Sequence, residues 1–227
     1  MTLLGFRRLA HRREQAEFLL QILRQVILIF AFSNMIETRV LILGHSFIRR
    51  LREFVNDNSL EYNLTLGIPE PVTVRWHGVG GRTVVKLKEF DLAIVSEFKP
   101  DIIFLQVGTN DLAQRNMSPV TVGSAIEEFV TLLHEKHGVR FICVGQTIKR
   151  ASPDSFNARV ALLARYLKTV LEPLPYALYW THRGFWRSRR PFLSYDGVHL
   201  NREGQHKLYK SIRGAVLQAI RQLNHLV

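Results

Sequence analysis

Ser46, Asp196 and His199 are the residues of this chain from which hydrolytic chemistry can be built. A serine hydroxyl is a weak nucleophile until a base within hydrogen-bond reach takes its proton, and an imidazole does so near neutral pH. Tyr195-Asp196-Gly197-Val198-His199 sets a carboxylate three residues before an imidazole on one turn. Asp196 can then hold the Nδ1–H, fixing the tautomer and stabilising the imidazolium, while Nε2 points outward. Acyl transfer also needs donors for the oxyanion. The backbone N–H groups of Ser46 and Gly81 and the side-chain amide of Asn110 supply three, and losing one such donor costs roughly 100- to 1,000-fold in turnover. As a metal site, Asp196 and His199 lack a third ligand at useful spacing, and His134 and His137 read as exposed on a helix end, so no metal is expected.

These groups can act together only if the fold brings them to one edge. The run Arg39 to Leu43 is an apolar strand that stops at Gly44-His45-Ser46, and Phe47 to Asn56 carries apolar residues at 47, 48, 51, 54 and 55, which is helical spacing. Val72 to Trp76 alternates as a strand and ends at His77-Gly78-Val79-Gly80-Gly81, where a glycine cluster lets backbone N–H groups approach a ligand. A helix is predicted from Thr83 to Phe98. Asp101 to Val107 is a nearly continuous apolar strand, as in a sheet covered on both faces, and it ends at Gly108-Thr109-Asn110-Asp111. Pro119 to His137 reads as a helix with Val120, Ile126, Phe129, Val130 and Leu133 inward. Val139 to Val144 is a fourth strand, Pro153 to Leu171 a helix, Tyr176 to Trp180 a short fifth strand, and Asn201 opens a long C-terminal helix. Strand and helix alternate five times with no repeat, so the fold class is α/β, a parallel sheet between two helical layers. In such a sheet Ser46, Gly81 and Asn110, each following a strand, share the carboxyl edge.

Taken singly, these signals are ordinary: Asn110-Asp111 suits a turn, Gly80-Gly81 a loop, and Asp196 the approach to a helix. Together and in order they are not. The chain resembles the SGNH (GDSL-type) hydrolases, whose four blocks are matched by Gly44-His45-Ser46, Gly78-Val79-Gly80-Gly81-Arg82-Thr83, Gly108-Thr109-Asn110-Asp111 and Asp196-Gly197-Val198-His199. The likeness runs from about residue 38 to 225. It implies a flavodoxin-like three-layer α/β/α sandwich with a five-stranded parallel sheet, and hydrolysis of an ester through a serine acyl-enzyme without metal or organic cofactor. One position departs from the pattern: the family's aspartate before the serine is His45 here, so the support around the nucleophile differs.

The 227 residues, 47% hydrophobic, suffice for one such domain and an appendage, and exclude a disordered chain. Residues 1–37 form the appendage, basic then apolar and expected to be helical. The run Phe18 to Phe32 is interrupted by Arg24 and falls short of the roughly 20 apolar residues of a spanning helix. No stable transmembrane anchor is therefore expected, although a signal or anchor at residues 18–33 stays open. Cys143, the single cysteine, sits in an apolar strand and favours a reducing, intracellular setting. Net charge is +12, and residues 140–227 hold 15 Lys/Arg against 4 Asp/Glu. That asymmetry supports an alternative, a non-catalytic module for RNA or another polyanion. Its surface would be Arg183, Trp186, Arg187, Arg189 and Arg190, where cations flank aromatics, unless Phe185 and Trp186 instead cover the site mouth or pack on the core. An enzyme acting on an acidic or phosphate-bearing ester would reconcile both features.

Overall fold

The computed structural model describes residues 21, 37–69, 71–151, 153–185 and 190–225, with Arg190 and His225 described by backbone alone. The expected appendage, including Phe18 to Phe32, lies outside the described residues apart from Gln21 and Glu37. Among the described residues no helix is long and apolar enough to cross a membrane.

The apolar run after Glu37 becomes β1 (Thr38–Gly44), and it is central because both its faces are apolar. Val40 and Ile42 pack on one side with α1 (Ser46–Asp57) and α7 (Arg202–His225). Leu41 and Leu43 pack on the other with α2 (Val84–Phe90), α3 (Leu92–Phe98), α5 (Pro119–His137) and α6 (Asp154–Leu171). The same alternation runs through β3 (Ile102–Gln106) and β4 (Phe141–Gly145), both wholly buried. Period-2 side chains on a two-sided sheet thus generate two cores and three layers. With β2 (Val72–Gly78) and β5 (Ala177–Trp180) the sheet has five strands, all parallel, in the order β2-β1-β3-β4-β5.

The chain steps from β1 outward to β2, then returns across the sheet to β3 on β1's other side. The strand order reverses there, and a crevice opens beyond the strand ends at such a reversal. Ser46 follows β1 and the short α4 (Thr109–Leu112) follows β3, so both stand at that crevice.

Two sequence expectations change. The single helix from Thr83 to Phe98 is two, α2 and α3, joined at Asp91, whose backbone departs from the helix at φ −116° and ψ −1°. Asp91 is buried there because its carboxylate accepts from Arg82 Nε at 2.6 Å and meets His77 Nε2 at 2.7 Å. Val120 faces outward at 60% exposure, because it lies in the first turn of α5, and Val122 takes the inward position.

Candidate active site

Ser46 is the first residue of α1, and its approach is shaped by close backbone packing. A Cβ on Gly78 would lie 2.2 Å from Arg49 N and 2.7 Å from Ile48 C, so only glycine lets α1 settle against the end of β2. His45 caps the helix: its Nδ1 accepts the Phe47 N–H at 3.3 Å. The ring proton is therefore on Nε2, which is buried and has no partner among the described residues. Burial, then the charges of His199 and Arg150, push the His45 pKa down to about 3. A neutral imidazole thus caps α1 at the position before Ser46.

His199 reaches Ser46 from the other side of the crevice. Leu193 and Leu200 form an antiparallel bridge, the Ser194 N–H donates to the His199 carbonyl at 2.7 Å, and the loop between them carries Asp196. Asp196 Oδ1 accepts the N–H groups of Val198 at 2.9 Å and His199 at 2.8 Å, while Oδ2 lies 2.7 Å from His199 Nδ1. His199 Nε2 is then 3.1 Å from Ser46 Oγ. Burial raises the Asp196 pKa, but the His199 ring, the two amides and the His199 charge outweigh it and hold the carboxyl at about 2. The Phe47 ring stands edge-on to His199 at 5.9 Å, filling one side of the imidazole.

The remaining strand-end residues sit as follows. Gly81 is exposed, with φ +73° and open space about it. Asn110 Nδ2 donates to Arg82 O at 2.9 Å, which commits one amide hydrogen and leaves the second. Asp111 Oδ1 accepts the Val84 N–H at 2.9 Å, tying the loop after β3 to the start of α2; burial raises the Asp111 pKa against this bond. The backbone N–H groups of Ser46 and Gly81 have no partner among the described residues.

Arg183 is exposed, whereas Trp186, Arg187 and Arg189 lie outside the described residues, as does the side chain of Arg190. Phe185 is buried against His182 and Phe192 and belongs to the core. His134, expected on an exposed helix end, is instead half-buried and stacked on Tyr176, with ring centroids 3.7 Å apart. A cavity of about 680 Å³ beyond β4 and β5 is lined by Arg165, Lys168, Thr181, His182 and Arg183 among others, but by none of Ser46, Asp196 and His199.

Three positions escaped sequence reasoning. Asp91 had no signal, being one acid inside a helical pattern. Gln106 had one, a polar group at the end of a buried strand, and Arg150, five residues past the end of β4, had none. Gln106 meets His182 Nε2 at 3.0 Å and donates to Gln146 O at 3.1 Å, and Arg150 Nη2 donates to Thr109 O at 3.1 Å.

The chain matches the GDSL-like lipase/acylhydrolase family over residues 43–207, which is most of its length. It belongs to that family of hydrolases. Solved structures of similar fold include the lipase/acylhydrolase from Enterococcus faecalis, 18% identical, with a TM-score of 0.61, covering 80% of this chain and 96% of that one. A catalytic mutant of an acetylxylan esterase from Geobacillus stearothermophilus is 16% identical, with a TM-score of 0.59, covering 78% and 94%. An alpha/beta hydrolase enzyme from the metagenome of Lake Arreo, Spain, is 16% identical, with a TM-score of 0.60, covering 80% and 95%. No curated protein matches significantly in sequence. At these identities the structures speak for the fold alone.

Proposed function

We propose that the protein hydrolyses a carboxylic ester through an acyl-enzyme, with Ser46 as nucleophile, His199 as general base and acid, and Asp196 as the group that orients His199. The observation that carries this reading is the unbroken line Asp196 Oδ2, His199 Nδ1, His199 Nε2, Ser46 Oγ, at 2.7 and 3.1 Å. Ser46 Oγ adds to the ester carbonyl carbon as its proton passes to His199 Nε2. The oxyanion is received by the Ser46 and Gly81 N–H groups and the second amide hydrogen of Asn110. Collapse breaks the acyl–oxygen bond, and the leaving alkoxide takes the proton from His199. Water, deprotonated by the same ring, releases the acid and restores Ser46.

A fluorophosphonate probe tests this. The wild-type chain should be labelled and should turn over a short p-nitrophenyl ester. Ser46→Ala should lose the label and at least about 10⁴-fold in kcat, with an unchanged melting temperature. Label retained in Ser46→Ala, or a wild-type chain inert to probe and esters, would overturn the assignment.

A further inference from the structure

Arg150 lies five residues beyond β4, between two loops of the candidate site. Its Nη2 donates to Thr109 O at 3.1 Å and to Thr109 Oγ1 at 3.3 Å, next to Asn110. Its Cζ stands 4.2 Å from the Phe156 ring centroid. Asn157 grips the Arg150 backbone at both ends, accepting its N–H at 2.9 Å and donating to its carbonyl at 3.0 Å. The following residue, Ala151, donates its N–H to Gly197 O at 2.8 Å, inside the Asp196 turn. The guanidinium is therefore fixed on the loop that carries Asn110, while the backbone just after it is tied to the loop that carries Asp196 and His199.

What it lacks is a counter-charge. Among the described residues no carboxylate lies within 4.0 Å of it, and its Nε is buried without a partner. Burial lowers its pKa, yet a guanidinium does not give up its proton, so the desolvation cost is offset in the free protein by Thr109 and the Phe156 ring but by no carboxylate within salt-bridge reach among the described residues. Its charge is also felt at His45, beside Ser46. A clamp on Thr109 alone would need only a neutral donor such as glutamine, at less cost. A planar cation fixed at the edge of a reaction centre and paired with no acid matches a carboxylate or a phosphate.

We infer that Arg150 is a specificity-determining residue that selects esters bearing a second, anionic group, a carboxylate or a phosphate monoester, over neutral esters. This rests on the serine-hydrolase reading and names its substrate class. The anion is not cleaved; it pairs with Arg150 and so places the ester carbonyl over Ser46.

The test uses the full chain and acetate esters of one shape: methyl 4-acetoxybenzoate as the neutral probe, 4-acetoxybenzoate for the carboxylate and 4-acetoxyphenyl phosphate for the phosphate. Mono-4-nitrophenyl adipate, against 4-nitrophenyl hexanoate, sets the anion on the acyl side. Wild type should favour at least one anionic member over its neutral partner by 10-fold or more in kcat/KM. Arg150→Gln should lose at least 10-fold more on that anionic ester than on the neutral one, mainly through KM. Arg150→Lys, which keeps the charge but not the fork, should fall between, and it serves if the glutamine variant does not fold. Equal losses on neutral and anionic esters, or no anionic preference in wild type, would overturn the assignment and leave Arg150 a structural clamp. Calorimetric titration of Ser46→Ala with the same compounds separates the two claims. If nothing is hydrolysed but an anionic ester binds in an Arg150-dependent way, the hydrolase reading fails and the anion selectivity stands. Equal binding of neutral and anionic members would overturn the selectivity itself.

Discussion

The imidazole of His45 is fully buried and still caps the helix that presents Ser46, which ties the position of Ser46 to a ring that must stay neutral. His182 is likewise buried, between Ser211 Oγ at 2.8 Å and Gln106 Oε1 at 3.0 Å, and burial takes its pKa to about 3. Both rings take up a proton near pH 6.5 in an unfolded chain and near 3 in the folded one. Between those values the unfolded chain holds more protons, so stability is lost as pH falls through that window. Each ring contributes a loss of about 2 kcal/mol between pH 7 and pH 5. Asp111 acts in the opposite sense, since its raised pKa restores stability as pH falls, and Asp196, held at about 2, adds a loss only below the ordinary carboxylate range. Urea midpoints at pH 7 and pH 5 should therefore differ, and His45→Asn, whose amide oxygen can still cap α1, should shrink the difference by about 2 kcal/mol. An unchanged difference would mean that His45 is charged in the folded protein. At this scale the sequence was readable where partners are close in the chain or follow strand ends, as with Asp196, His199 and Ser46. It was silent on Arg150 and Asp91, whose meaning comes from partners 41 and 14 residues away, Thr109 and His77.

Elements position the site through close contacts that a residue pattern does not display. The buried strands were legible because runs such as Ile102-Ile103-Phe104-Leu105 leave no polar face to expose. The break at Asp91 was not, because helical spacing continues across it, and the departure serves the bonds to Arg82 and His77. Gly78 and Gly81 look alike in the glycine cluster and differ in three dimensions. A methyl group on Gly78 meets the backbone of α1, which cannot swing aside as a side chain would, whereas one on Gly81 meets nothing within 4 Å and suffers only from φ +73°. Gly78→Ala should therefore cost at or above the upper end of the roughly 1–3 kcal/mol of overpacking. Gly81→Ala should cost about 1 kcal/mol. Thermal melts of the two variants check the ranking, and a Gly78→Ala chain that melts with the wild type would show that α1 is not seated on β2 as described.

Over the whole molecule, charge and core divide the chain differently. Residues 140–227, which carry 15 Lys/Arg against 4 Asp/Glu, also supply Arg150, Asp196 and His199, so the half that completes the site is the half whose field draws anions. Such a field attracts polyanions in general, so polyanion binding alone would not separate a nucleic-acid module from an enzyme for acidic esters. The core is bounded more sharply. Among the described residues both hydrophobic clusters lie between Val40 and Leu223, and the first strand is already anchored at Thr38, which pairs with Val72 and donates its N–H to Pro71 O at 2.9 Å. Removing residues 1–34 thus takes away no described core side chain and no described strand. A chain beginning at Met35 should fold, stay in solution, melt within a few degrees of the full chain and keep its reactivity toward the fluorophosphonate probe. If it yields only aggregate, the apolar run Phe18 to Phe32 contributes to the folded core, and the domain begins earlier than its first strand.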